Sequence, residues 1–205
     1  MRSLAIETAT EACSVALFEG DQLLAHDHRV LGRGHAERLV PMIEALPEKG
    51  RADRILVSLG PGSFTGVRIG IATARALGFA WRADVFGYPT LDLVAAMARN
   101  DHPGRSITVC MNGGHGEWFV QNFGADGASI GAVQSLKPAG ALQFADGELM
   151  AGNRAQELSD LNNGAVVSLS LLPDARECLG LSPSSLTDNL SPIYGRGPDA
   201  KLPTP

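Results

Sequence analysis

The chain has 205 residues, 44% of them hydrophobic and 19% charged, with a formal net charge of −5. That length suits one large domain or two small ones, and an acidic balance argues against independent, tight binding to nucleic acid, which needs basic surface to displace counterions. Its three cysteines, Cys13, Cys110 and Cys178, are far apart and lack Cys-x-x-Cys spacing, which points to a reduced cytoplasmic protein rather than a disulfide scaffold or a zinc site.

Glu7 and Glu11 interrupt the apolar N-terminal stretch, so no signal peptide is expected. No run reaches the roughly 18 apolar residues needed to span a bilayer. Residues 3–7 read as a buried strand ending in Glu7, followed by a polar turn at Thr8–Glu11. Cys13–Phe18 and Gln22–Arg29 read as two further strands joined by a hairpin turn at Glu19-Gly20-Asp21. Gly32–Gly50 holds a helix with Leu39, Met42, Ile43 and Leu46 at helical spacing and Pro41 inside it, which predicts a kink or a delayed start. His35 opens that segment, and a metal-binding version needs a second ring four residues on to share a face. Leu39 occupies that place, so no metal is expected there.

The most telling stretch follows. Ile55-Leu56-Val57 reads as a short buried strand, Gly60-Pro61-Gly62 as a turn, and Gly66 to Ala80 as a helix that Ser63 or Thr65 can cap. A strand, a glycine-rich loop and a helix N-terminus together make a candidate anion site, with Gly60, Gly62 and Ser63 as its residues. The spacing matches neither the P-loop nor the dinucleotide fingerprint, so a purely structural turn is the competing reading. The helix has Gly66, Gly70, Ala74 and Gly78 recurring every four residues, with Ala72, Ala76 and Ala80 in a neighbouring row. Residues four apart share a face, and interior glycines cost roughly 1 kcal/mol each against alanine. Such a bare ridge implies backbone-close packing, either on the chain's own sheet or on a second protein.

Val85–Tyr88 reads as a strand and Leu91–Arg99 as a helix, and Asn100–Gly104 is the best linker. A hairpin is expected from Ser106–Met111 and Glu117–Phe123, then a strand near Ile130–Leu136 and a short helix at Pro138–Phe144. Short strands are expected at Leu149–Gly152 and Val166–Leu169, and Leu171–Leu181 reads as helical despite Pro173. The stretch from Ser182 on carries five prolines and reads as irregular. No internal repeat is evident.

Gly60-Pro-Gly-Ser-Phe-Thr-Gly-Val-Arg-Ile-Gly70 closely resembles the signature of the TsaB (YeaZ) family of tRNA threonylcarbamoyladenosine biosynthesis. Leu4–Leu17, the His-x-x-x-Leu-x-Pro-Met run from His35 to Met42, Gly87–Leu91, and Pro192-Ile193-Tyr194 with Arg196 are similar too. The resemblance implies an α/β, actin-like ATPase/sugar-kinase (ribonuclease H-like) fold of two lobes, degenerate in catalysis. Residues 1–100 are then the first lobe with the partner-binding helices, and 101–205 a shortened second lobe with an irregular C-terminal tail. In such a fold Glu7 sits where a strand-end carboxylate organises a metal-bound phosphate, the alternative being that it caps a turn.

The resemblance further implies a non-catalytic subunit that activates TsaD, the catalytic subunit, with the ATPase TsaE joining. It also implies contact with tRNA only through the complex, ATP or ADP at the subunit interface, and self-association as a dimer when isolated. The implied partner surface comes from His35, Leu39, Met42, Gly66, Ile69, Gly70, Thr73, Ala74 and Leu77. On that surface, leucine at Gly70 or Ala74 is expected to break pairing and leave the fold intact. Asn112–Glu117 departs from the family's usual Asp-Ala-Arg-x-x-Glu, losing the aspartate and arginine. Two other readings are a stand-alone actin-like ATPase or small-molecule kinase, motivated by Glu7 and the Gly60–Gly66 loop, and a metallopeptidase, which the missing His-Glu-x-x-His motif disfavours.

Overall fold

A computed structural model describes residues 1–195 and contains two five-stranded sheets. The first has the order β3-β2-β1-β4-β5, from β1 (Arg2–Glu7), β2 (Ala12–Glu19), β3 (Gln22–Val30), β4 (Arg54–Ser58) and β5 (Asp84–Tyr88). Its first three strands are antiparallel neighbours, and β4 and β5 add on in parallel. Parallel neighbours need crossovers. α1 (His35–Glu44) precedes β4, and α2 (Phe64–Trp81) joins β4 to β5.

The second sheet repeats the plan. β6 (Ile107–Gly114), β7 (Glu117–Phe123) and β8 (Ser129–Leu136) are antiparallel neighbours. β9 (Leu149–Ala151) and β10 (Val167–Leu169) follow in parallel beyond β6. α4 (Pro138–Phe144) and α5 (Ala155–Leu161) are its crossovers. The repeat is of topology, with no matching sequence repeat, and the second copy is trimmed. α5 has 7 residues where α2 has 18, and β9 has 3 where β4 has 5. This is the two-lobed actin-like architecture.

α3 (Thr90–Asp101) sits between the sheets. Leu93 packs with Ala5, Ala16, Phe18, Leu56 and Tyr88 of the first sheet, and Leu91, Val94, Ala95 and Ala98 pack with Ile107, Val109 and Phe123 of the second. The other face of the first sheet, carrying Leu4, Ile6, Val15, Ile55 and Val57, is covered by Leu39, Met42 and Ile43 of α1 and Val67, Ile71 and Ala74 of α2. The alternation along β1 follows the two-residue period of a strand.

Several sequence expectations change in detail. α1 runs through Pro41, which lies on its exposed side. Leu171–Leu181 supplies only a 3-10 turn at Ala175–Gly180, and α5 had no counterpart among the expected elements. The C-terminal chain returns to the first sheet. Ala175 N–H donates to Ser14 Oγ at 2.8 Å, Thr187 bridges Gly87, and Ile193 N–H donates to the Leu59 carbonyl at 2.7 Å. Arg196 lies outside the described residues.

Candidate functional site

The loop between β4 and α2 is positioned by the turn that follows β1. Ser63 N–H donates to the Ala9 carbonyl at 2.6 Å, and Ser63 Oγ accepts from Gly66 N–H at 3.2 Å. Ser63, not Thr65, is therefore the helix cap. Gly60 N–H donates to Ser58 Oγ at 3.2 Å, and the Gly60 carbonyl accepts from Thr90 N–H at 2.8 Å. A Cβ on Gly62 would fall on the Ala9 carbonyl, and one on Gly66 on the Thr8 carbonyl. Glycine is required here because two backbone segments touch. The N–H groups of Gly60, Ser63 and Gly66, which a phosphate cradle would leave open, are engaged within the chain.

The helix ridge faces the same way. A Cβ on Gly70 would meet Thr8 Oγ1, one on Gly78 would meet Val85, and Ala74 is fully buried. Thr8 Oγ1 donates to the Gly66 carbonyl at 2.8 Å, tying the β1–β2 turn to the helix. Of the two readings of the ridge, the structure realises packing on the chain's own sheet. That corrects the expected partner surface. Gly66, Gly70 and Ala74 are buried, as are Leu39 and Met42 of α1. His35 is buried too, its Nε2 bonded to the Ala12 carbonyl at 3.1 Å, so it fastens α1 to β2. Ile69, Thr73 and Leu77 are half-buried at the ridge's margin. The exposed face of α2 carries Phe64, Arg68, Ala72, Arg75, Ala76, Phe79 and Ala80, with Phe79 91% exposed. The neighbouring alanine row is thus the outward one.

Glu7 is wholly buried. Its Oε1 accepts from Ala9 N–H at 2.7 Å, and Tyr88 Oη donates to the Ile6 carbonyl at 3.0 Å and reaches Glu7 Oε2 at 3.5 Å. Burial pushes the Glu7 carboxyl up to about 7, against the opposing pull of the Ala9, Ser58 and Tyr88 hydrogen bonds. Among the described residues it joins no ion pair. Buried and bonded to the turn that follows β1, Glu7 fits the turn-capping role.

Between the lobes lies a cleft of about 240 Å³ lined by Ala9–Glu11, Gly32 and Pro61–Ser63 on one side and Met111–Gly114 on the other. Glu11 is the charged residue of this lining, which among the described residues has no lysine or arginine. Asn153 spans it, donating from Nδ2 to Glu11 Oε1 at 2.8 Å and accepting from Asn112 N–H at 2.8 Å. The departure at Asn112–Gly114 thus falls at the end of β6, where the Asn112 backbone holds Asn153, and the Asn153 side chain reaches Glu11 of the first lobe. No group of three or more His, Cys, Asp and Glu with metal-ligand geometry occurs among the described residues. No helix among them is long and apolar enough to cross a membrane. Sequence reasoning missed Asn153, which no motif marks, and the exposed Phe79, which helical periodicity alone would have placed opposite the ridge.

A family profile described as TsaD, tRNA N6-adenosine threonylcarbamoyltransferase, matches residues 29–161. The tRNA threonylcarbamoyladenosine biosynthesis protein TsaB of Escherichia coli is 35% identical over 131 residues, 62% of this chain and 56% of that protein. Its namesake from Haemophilus influenzae is 36% identical over 115 residues, 53% of this chain and 48% of that protein. The chain thus spans about half the length of the curated relatives it matches. The solved structure of YeaZ from Pseudomonas aeruginosa superimposes with a TM-score of 0.75 at 27% identity, covering 94% of this chain and 99% of that one. By profile, sequence and fold, the chain belongs to the TsaD-type threonylcarbamoyltransferase family and, within it, groups with the TsaB (YeaZ) proteins.

Proposed function

We propose that this chain is a non-catalytic, activating subunit in the synthesis of N6-threonylcarbamoyladenosine on tRNA, binding and stabilising a TsaD-type catalytic subunit. The observation that carries this reading is the closure of the would-be phosphate loop. Three of its N–H groups bond within the chain, and the strand-end carboxylate, Glu7, is buried beneath it. A family member built this way keeps the scaffold and gives up the means to hold a nucleotide in its own cleft.

In this reading residues 1–100 form the partner-binding lobe, and 101–205 a second, shortened lobe with the C-terminal tail. The contact surface is the outward side of α1 and α2, where Val40, Phe64 and Phe79 are exposed, with Ile69, Thr73 and Leu77 at its margin. Exposed aromatic and aliphatic residues on adjoining helices are the composition of a protein interface. The complex works in the cytoplasm, with a TsaE-type ATPase as a further partner, ATP or ADP held between subunits and tRNA contacted through the complex. The same surface is where isolated copies pair.

The test mixes the purified chain with the TsaD-type protein of the same organism. A co-eluting species on size exclusion with light scattering, together with tRNA modification that depends on the chain, supports the proposal. Equal modification without the chain refutes it.

A further inference from the structure

Although the chain is acidic overall, it has no Asp or Glu between Asp53 and Asp84. Within that interval α2 presents Arg68 and Arg75 on its outward side, and Arg82 closes the helix, all three exposed. Arg68 and Arg75 are seven residues apart in the helix, so they share a face about 10 Å apart, and Arg82 follows as the left-handed C-cap. None is in an ion pair among the described residues.

Two of these cations are held by neutral groups. The Arg68 guanidinium lies 3.5 Å from the centroid of the Phe64 ring, and its Nη2 donates to Tyr194 Oη at 2.8 Å. Arg75 Nη2 donates to the Leu190 carbonyl at 3.3 Å. Such contacts orient a charge without neutralising it. Between the helix and Leu190–Tyr194 they border a depression of about 350 Å³ whose lining, among the described residues, contains no carboxylate. The carboxylates of neighbouring α1, Glu37 and Glu44, form no ion pair with these arginines among the described residues, and Glu44 faces Lys49 at 3.5 Å.

We propose that the outward face of α2 docks an acidic segment of a partner protein, whose carboxylates meet the Arg68–Arg75–Arg82 row while apolar side chains cover Ala72, Ala76 and Phe79. The inference rests on the partner-subunit reading above and adds the chemistry of the partner's surface. An RNA occupant is disfavoured because three arginines on a chain of net charge −5 give little counterion release.

The test uses the full chain and the TsaD-type protein of the same organism. Affinity is measured by titration calorimetry at low and high salt for the parent, Arg75→Glu, Arg82→Glu and the charge-preserving Arg75→Lys. Circular dichroism checks that each variant is folded. The expected result is binding weakened by salt, and weakened about tenfold or more by either glutamate, with Arg75→Lys closer to the parent. A complex that forms with unchanged affinity and salt dependence in both glutamate variants overturns this inference and leaves the partner reading standing. Absence of any complex with the parent overturns both. Retardation of tRNA by the chain alone, lost in Arg75→Glu, would assign the row to RNA instead and also overturns it.

Discussion

The two sides of α2 are built on opposite rules. Its inner side, Gly66, Gly70, Ala74 and Gly78, has almost no side chain, because the β1–β2 turn and the sheet press directly on the helix backbone. Its outer side has arginines, alanines and Phe79, with no carboxylate to balance them. The inner side gains stability from closeness, and there every added atom is a clash. The outer side contributes little to the folded monomer and leaves apolar area and charge in water. A helix whose inner face is fully used and whose outer face is unbalanced is a mount for an interaction surface.

The largest effect that would break this contrast is bulk on the inner side. Gly66→Leu or Gly70→Leu drives a side chain into Thr8, so a loss of at least about 3 kcal/mol is expected, enough to leave the chain unfolded or aggregated in a denaturation assay. A folded Gly70→Leu protein that merely loses its partner would restore the ridge as a docking face.

The next effect lies beneath the same turn, at Glu7. Its carboxyl is raised from 4.5 to about 7 by burial, so the folded chain holds a proton that the unfolded chain has released. Stability from this group is complete below about pH 4.5 and is lost as pH rises through about 7, by the order of 3 kcal/mol. Glu7→Gln can still accept from Ala9 N–H and should remove that slope. Chemical denaturation from pH 5 to 8 should then show the variant gaining on the parent as pH rises. Parallel curves would mean that Glu7 is solvated.

On the outer side, Phe79→Asp should leave stability within about 0.5 kcal/mol and weaken partner binding by about 2 kcal/mol, the scale of an interface anchor. Thermal melts and a binding titration report the two separately. The smallest effect belongs to Asn153→Ala. Loss of its bonds to Glu11 and Asn112 should cost about 1 kcal/mol and speed hydrogen exchange at Asn112 N–H.

Most of the first lobe was legible in the sequence, since β1, β2 and β4 hold apolar runs and the turns before β3 and α2 carry glycine or proline. The second lobe was legible as far as the β6–β7 hairpin. α5 escaped because its seven residues make barely two turns, too few for periodicity to show. The duplication of strand order escaped because it is a property of pairing, and the two halves share no spacing of residues. At the site, the Gly/Ala ridge was readable but its direction was not. A four-residue repeat of small residues states that something comes close, and only the fold shows that Thr8 and Val85 do. Arg68, Arg75 and Phe79 were in plain view, but they gain meaning only once the ridge is known to face inward.

The most direct test of the partner-subunit account is the rate of threonylcarbamoyladenosine formation on tRNA by the TsaD-type enzyme of the same organism. It is measured alone, with this chain, and with the Phe79→Asp chain. The account predicts a rate that depends on the chain and falls toward the enzyme-alone level with Phe79→Asp, while that variant melts like the parent. Equal rates in all three reactions would contradict it.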